Sequence, residues 1–204
     1  EGILLESTYD YMTTGPEVKD IFFRIEDKPT NVPGEVLQGI QFYSNLEGTW
    51  NQSRYYRWKL TETWEYHAAY PREFYYDGEI QEVSPPDYSQ IVCYNTRSID
   101  EIFTLSTQNF SENAVEDFPL HYVKNTSSRL AIMYSLLIQQ MALSQDAYIY
   151  WDQLRQNTNE PGGLYSTQPL AIRGNLMNIS QPDEEVLGFF QASKLSTLRL
   201  FVEP

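Results

Sequence analysis

The chain has 204 residues, enough for one large β-rich domain or two small ones with a sizeable core. Its 28 Asp and Glu residues outnumber 14 Lys and Arg residues, giving a formal net charge of −14 that argues against nucleic-acid binding. A hydrophobic fraction of 41% is too high for a disordered chain and too low for a polytopic membrane protein.

The first predicted elements are two strands. Residues 18–26 alternate apolar and polar side chains, and the breakers Pro29 and Pro33-Gly34 end this strand before a second one over residues 36–44. A polar loop over residues 45–53 follows. The opening residues Glu1–Glu6 lack the basic start and the apolar run of a signal peptide.

The strongest strand signal lies at residues 54–66, where apolar and polar side chains alternate. This pattern predicts a long strand with one buried face and one hydrated face. The buried face would carry Tyr56, Trp58, Leu60, Trp64 and Tyr66, and the hydrated face Tyr55, Arg57, Lys59, Thr61, Thr63 and Glu65.

A long loop is predicted over Pro71–Tyr88, which contains the turn signals Asp77-Gly78 and Pro85-Pro86. Long loops rich in aromatic residues often carry function, so we select its aromatic side chains as candidates for ligand or partner binding. The alternative is that they only pin the loop to the sheet. The candidates are Tyr70, Phe74, Tyr75, Tyr76 and Tyr88.

The second half of the chain predicts further strands and one helix. Strands are expected over residues 90–96 and 101–106, and a strand is favoured over a helix for residues 129–143. Ser144 has the position of a helix N-cap, and Tyr148 and Trp151 follow at helical spacing as further binding candidates or core residues.

Pro161-Gly162-Gly163 predicts the end of this helix, and residues 185–193 and 197–203 predict a terminal hairpin. Several strands without a βαβ rhythm favour a mainly β fold. We predict an antiparallel β-sandwich, immunoglobulin-like or jelly-roll-like, over residues 1–204, with a short helical insertion near residues 144–158.

No motif for metal, phosphate or nucleophilic chemistry is present. His67 and His121 lie far apart in the sequence, and the acidic segments 112–117 and 183–185 lack calcium-loop spacing. The single cysteine, Cys93, allows no disulfide within the chain and is predicted to be a small buried apolar residue. The sequence therefore predicts no cofactor, no metal and no catalytic residue.

Glu62 is a charged residue that interrupts the aromatic face of the long strand, between Leu60 and Trp64. A carboxylate among aromatic side chains could have a raised pKa and act as a general acid in glycoside hydrolysis. It could equally pair with an Arg from a neighbouring strand or helix, or lie where the strand emerges into solvent. The sequence assigns no second carboxylate to face it.

An ordered series of short motifs resembles a family of Bacteroidota lipoproteins labelled only as a domain of unknown function (family 4249). The similarity covers roughly residues 36–202. The motifs are Gly39-Ile-Gln-Phe-Tyr43, Arg54-Tyr-Tyr-Arg-Trp58, Glu62-Thr-Trp-Glu65, Val92-Cys-Tyr94, Phe118-Pro-Leu120, Tyr134-Ser135, Ala142-Leu-Ser144, Ala147-Tyr-Ile-Tyr-Trp151, Pro182-Asp-Glu184 and Val186-Leu-Gly188.

The resemblance implies a cell-surface lipoprotein of the outer membrane that assists a TonB-dependent transporter barrel. It also implies an upstream immunoglobulin-like domain and a lipid-anchored cysteine that this chain does not contain. We therefore expect a non-enzymatic component of a nutrient-uptake complex, which binds the transporter or a small nutrient, peptide or glycan. The alternatives are a glycan-active enzyme or carbohydrate-binding module using Glu62 and the loop aromatics, and a structural subunit of an envelope assembly.

Overall fold

The computed structural model of the protein describes residues 2–159 and 172–203. Within them lie eleven strands, a single turn of 3-10 helix at Ser128–Leu130, and the helix α1 (Gln145–Asn159). The strands are β1 (Leu5–Ser7), β2 (Asp20–Pro29), β3 (Val36–Glu47), β4 (Tyr55–His67), β5 (Arg72–Tyr76), β6 (Ile80–Asp87), β7 (Val92–Ser106), β8 (Ala114–Lys124), β9 (Tyr134–Ala142), β10 (Leu176–Asn178) and β11 (Lys194–Val202).

Two antiparallel sheets pack face to face and enclose the main core. The larger has the order β11-β9-β4-β7 and the smaller the order β2-β3-β8. Aromatic rings stack across the interface between the sheets, with Phe42 and Tyr134 centroids 5.7 Å apart and Trp58 and Phe118 centroids 4.7 Å apart. The mainly β prediction with one short helix is confirmed.

The strand β4 lies in the middle of the larger sheet, paired with β9 on one side and β7 on the other. Its predicted buried face is confirmed at Tyr56, Trp58 and Leu60, which are fully buried. The prediction is wrong for Tyr66, which is 40% exposed, and Trp64 is half-buried, because the pairing of β4 with β9 ends at Trp64. Alternation predicted this strand well because one side of the sheet meets the core and the other meets solvent and α1.

Four predictions of elements differ from the structure. The two strands expected over residues 90–96 and 101–106 form the single strand β7. Residues 71–88 form mostly a hairpin, β5 and β6, joined by a turn in which Gly78 has a φ of +81°. The strand predicted over residues 129–143 begins only at Tyr134. The prediction of a strand over residues 185–193, the first half of the terminal hairpin, is wrong. The backbone N–H and C=O groups of Phe190 form hydrogen bonds with the side chain of Asn175. The second predicted strand is β11, which pairs with β9.

Two further predictions concern single residues. Ser144 caps α1 as predicted, since its Oγ accepts a hydrogen bond from the Ala147 backbone N–H at 3.2 Å. Cys93 lies half-buried near the start of β7, outside the main core that was expected to contain it. The helix stop predicted at Pro161-Gly162-Gly163 lies outside the described residues.

Candidate functional site

The candidate site is a two-stranded ribbon that extends beyond the sandwich. Pairing between β4 and β9 stops at Trp64 and Tyr134, whereas pairing between β4 and β7 continues to His67 and Val92. Beyond that point, among residues 2–159 and 172–203, β5 and β6 pair only with each other. We call residues 66–94 the arm.

The arm brings together five of the residues selected from the sequence. They are exposed instead of being packed against the sheet, so they do not pin the segment to the sandwich. Tyr76 lies opposite Ile80, and both side chains are 77% exposed. The selected residues and their exposed fractions are Tyr70 81%, Phe74 58%, Tyr75 46%, Tyr76 77% and Tyr88 64%.

Both faces of the arm carry aromatic rings. Phe74 and Tyr76 share one face because side chains two residues apart in a strand point the same way, and Tyr75 lies on the other face opposite Gln81. Ile80 extends the first face across the ribbon. Such a narrow ribbon with rings on both sides is suited to insertion into a groove of another protein.

The arm is acidic as well as aromatic. It contains five Asp or Glu residues and a single Arg. Arg72 pairs with Asp87 at 3.0 Å, and hydrogen bonds from Ser89, together with that Arg, lower the pKa of the Asp87 carboxyl. The other four carboxylates, on Glu73, Asp77, Glu79 and Glu82, have no ion-pair partner in the described part of the chain.

Tyr148 and Trp151 lie elsewhere, in the contact between α1 and the larger sheet. The Tyr148 ring is 5.1 Å from that of Tyr55, and the Arg57 guanidinium lies 3.5 Å from the Trp151 ring centroid. Trp151 Nε1 also donates to Gln191 Oε1 at 2.5 Å. These two candidates are therefore packing residues near the start of β4, and the structure does not bring them together with the arm.

The environment of Arg57 shows how closely α1 covers the sheet. Burial lowers the pKa of Arg57 to about 10, and its Nε has no hydrogen-bond partner among the described residues. The Trp151 ring provides the compensating contact through a cation–π interaction.

Glu62 is fully buried at the base of the arm, where it accepts hydrogen bonds from two arginines and a tyrosine. Arg97 on β7 donates to Oε1, Arg129 donates to both carboxylate oxygens at 3.0 and 2.9 Å, and Tyr134 donates to Oε2 at 2.8 Å. The ion-paired interpretation of Glu62 is confirmed.

The charge state of Glu62 follows from these contacts. Burial raises its pKa, but the hydrogen bonds from Arg97 and Tyr134 and the charge of Arg129 outweigh burial and lower the pKa overall. Burial and the neighbouring carboxylate raise the pKa of the Tyr134 hydroxyl. A general acid in glycoside hydrolysis needs a raised pKa, so the lowered pKa of Glu62 does not favour the alternative in which Glu62 acts as that acid.

A second feature was missed by sequence reasoning: a cavity of about 970 Å³ near the start of β4. Trp50, which is 88% exposed, lies in its lining. The other walls come from the chain leading into β2, from the adjoining ends of β3 and β8, and from Lys194 on β11. No alternation or motif marks Trp50 in the sequence, where it appears as one residue of a polar loop.

Residues 2–159 and 172–203 contain neither a metal-binding cluster nor a membrane-spanning helix. There, no group of three or more His, Cys, Asp and Glu side chains is arranged to hold a metal ion. No helix in the same residues has both the length and the apolar character needed to cross a bilayer. In the acidic segment 112–117, Asp117 pairs with Arg24 at 2.9 Å.

Comparison with known proteins places this chain in a family. No curated protein and no solved structure matches it. A family model described as a domain of unknown function matches residues 6–199, nearly the whole chain, and confirms the resemblance seen in the motifs. The protein belongs to the family named Domain of unknown function (DUF4249).

Proposed function

We propose that the protein is a non-enzymatic binding component of an outer-membrane, TonB-dependent nutrient-uptake complex, and that the arm contacts the transporter. The observation that carries the binding role is the exposure of Tyr70, Phe74, Tyr76 and Ile80 on a ribbon outside the sandwich. The envelope setting is supported by family membership, since the resemblance implies cell-surface lipoproteins that assist such transporters.

The apolar content of the arm supports a protein partner. Exposed aromatic side chains contribute much of the binding energy when they enter pockets of a partner and are desolvated. Phe74, Tyr76 and Ile80 provide three such anchors on one face within a short hairpin. They would insert between apolar residues of the partner.

The charge of the arm defines the partner further. Four carboxylates without ion-pair partners among the described residues surround the anchors, so the docking surface should contain Lys or Arg around an apolar groove. Such a partner would associate faster at low ionic strength, because the opposite charges attract over roughly a Debye length.

The proposal is tested by recovery of partners from gently solubilised native outer membranes, with the affinity-tagged protein, expressed from its native gene, as bait. The wild-type bait should recover a TonB-dependent barrel in a near-stoichiometric amount by mass spectrometry. The double variant F74S/Y76S should recover at least ten times less, since each exposed aromatic anchor contributes about 1–2 kcal/mol. The variant Y9S is the matched control, because Tyr9 is 99% exposed and lies outside the arm.

Three outcomes are informative. Recovery of bait without any partner would contradict the proposal. Equal recovery of the barrel by F74S/Y76S would retain the complex but remove the arm as its contact. A stoichiometric partner other than a transporter would favour the structural-subunit alternative.

A further inference from the structure

We propose that the cavity beside Trp50 binds a neutral oligosaccharide, with the Trp50 indole as the surface on which a sugar ring stacks. This inference uses residues outside the arm and does not depend on the partner proposed above. It rests on the presentation of Trp50, the size of the cavity and the mixture of polar groups in its lining.

The loop that carries Trp50 is held in place by Asn113, a buried residue on the neighbouring segment. The Asn113 side-chain amide donates to the carbonyl oxygens of Thr49 at 3.1 Å and Ser53 at 2.9 Å, on either side of the tryptophan. The Gly48 N–H donates to the Asn113 carbonyl at 2.8 Å. Residues 48–53 are thus fixed at both ends.

Gly48 shows how tightly this framework is packed. A Cβ atom at position 48 would lie 2.5 Å from Asn113 Nδ2, so a larger residue there would have to displace the buried Asn113 amide from its hydrogen bonds. The loop also closes on itself, since the Thr49 N–H donates to Gln52 Oε1 at 2.9 Å. The fold therefore holds an indole in solvent on a well-braced loop, which prepares it for contact without an ordering cost.

The chemistry of the lining favours a neutral ligand rich in hydroxyl groups. The side-chain carboxylates of Glu47, Glu112 and Glu116 have no hydrogen-bond or ion-pair partner in the part of the chain described, and would repel an anion. Lys19 likewise has no hydrogen-bond or ion-pair partner there, and would oppose a simple cation. A hydroxyl group can donate to the carboxylates and accept from the ammonium group.

The remaining cationic groups of the lining are already engaged. Lys194 pairs with Glu17 at 2.7 Å and donates to the Gly15 carbonyl at 3.1 Å, and Arg54 donates to the Phe110 carbonyl at 2.9 Å. They brace the walls and leave the unpaired groups for a ligand. The C–H face of a sugar ring would cover the indole while its hydroxyl groups meet the polar walls.

The volume of the cavity and its distance from the arm are consistent with an oligosaccharide site. A volume of about 970 Å³ is at the upper end of the range of about 300–1,000 Å³ typical of small-molecule sites, so it can hold several sugar rings. The cavity and the arm lie at opposite ends of β4, whose 13 residues span about 40 Å. Variants at one end should therefore leave the other intact.

The test is isothermal titration of the protein with six neutral hexasaccharides: maltohexaose, cellohexaose, laminarihexaose, xylohexaose, mannohexaose and β-1,4-galactohexaose. At least one should bind, W50A should weaken that binding at least tenfold, and W50F should restore part of it. E112Q/E116Q should weaken it severalfold. Y9A is the matched control, because Tyr9 is exposed but outside the cavity lining, and it should bind like wild type.

The proposal would be overturned if none of the six sugars binds, or if W50A binds as well as wild type. Binding of hexa-lysine without binding of any sugar would also overturn it and would show a cation site instead. Thermal melts monitored by circular dichroism should show that W50A folds, since Trp50 contributes no buried packing. The sugar titrations and the partner-recovery experiment with F74S/Y76S test different surfaces, so failure of one proposal leaves the other standing.

Discussion

At the scale of single residues, Glu62 shows how contacts decide the role of a carboxylate. Its position among aromatic side chains could be read from the alternation of β4, but the identity of its partners could not. Arg97 lies 35 positions later in the chain and Arg129 lies 67 positions later. The guanidinium groups meet Glu62 only because β7 and the turn at Ser128–Leu130 fold against β4.

We expect E62A to lower the free energy of unfolding by about 3 kcal/mol, because it leaves Arg129 and the Tyr134 hydroxyl without their partner. Urea denaturation followed by tryptophan fluorescence measures this change. R97A is the matched control, and its cost should be about 1 kcal/mol or less, since the Arg97 side chain is 57% exposed and Arg129 still neutralises Glu62. Equal costs for the two variants would contradict the assignment.

The difference in the free energy of unfolding between the wild type and E62A should depend on pH. The pKa of Glu62 is lowered in the folded protein from an ordinary value of 4.5, so its ionised form stabilises the fold fully above about pH 4.5. This contribution is lost as the pH falls through the lowered pKa. The difference in stability between wild type and E62A should therefore shrink on acidification and remain constant between pH 6 and 8.

At the scale of elements, sequence patterns predicted the strands and caps whose signals lie within a few neighbouring residues. The strand β4 and the cap at Ser144 were predicted because their signals lie within a few residues. The strand β8 was not predicted from the sequence. Its backbone is irregular at Asp117, where φ is 52°, and Pro119 lies inside it, so its apolar and polar side chains do not alternate regularly. The pairing of Phe190 with the Asn175 side chain, which replaces a strand, is a contact between distant residues that no local pattern contains.

The helix α1 depends on Trp151 for its attachment to the sheet. We expect W151A to lower the free energy of unfolding by about 2–3 kcal/mol, because it removes a half-buried indole, its cation–π contact with Arg57 and its hydrogen bond to Gln191. I149A is the control on the same helix, with an exposed side chain and an expected cost below about 1 kcal/mol. The measurement is again urea denaturation, and a small loss for W151A would show that α1 is held by other contacts.

At the scale of the whole molecule, the sandwich separates two surfaces. The larger sheet carries the arm at one end of β4 and adjoins the Trp50 cavity at the other. The aromatic residues of the arm were selected from the sequence because they cluster within one segment. The cavity was not predicted, because its walls come from four separate parts of the chain that only folding brings together. They are residues 15–17 and 19–20, residues 45–50, 52 and 54, residues 111–116, and Lys194.

The construction of the arm has a consequence for its behaviour in solution. Within the described part of the chain, no third strand pairs with β5 or β6, so both outer edges of the ribbon present backbone groups that could pair with another copy and promote aggregation. The carboxylates of Glu73 and Glu82, which have no ion-pair partner among the described residues, lie on these two strands, and we expect their repulsion to keep copies apart. The acidity of the arm would then protect the free protein while leaving it able to bind a basic partner.

We therefore expect the protein to remain monomeric at low salt and to self-associate as salt is raised towards 1 M, where the Debye length falls to about 3 Å. Sedimentation velocity over a range of protein concentrations measures the association. E73Q/E82Q should associate at lower salt than wild type, and F74S/Y76S should resist association. A monomer at every salt concentration in all three proteins would show that the edges of the arm are protected by twist instead of by charge.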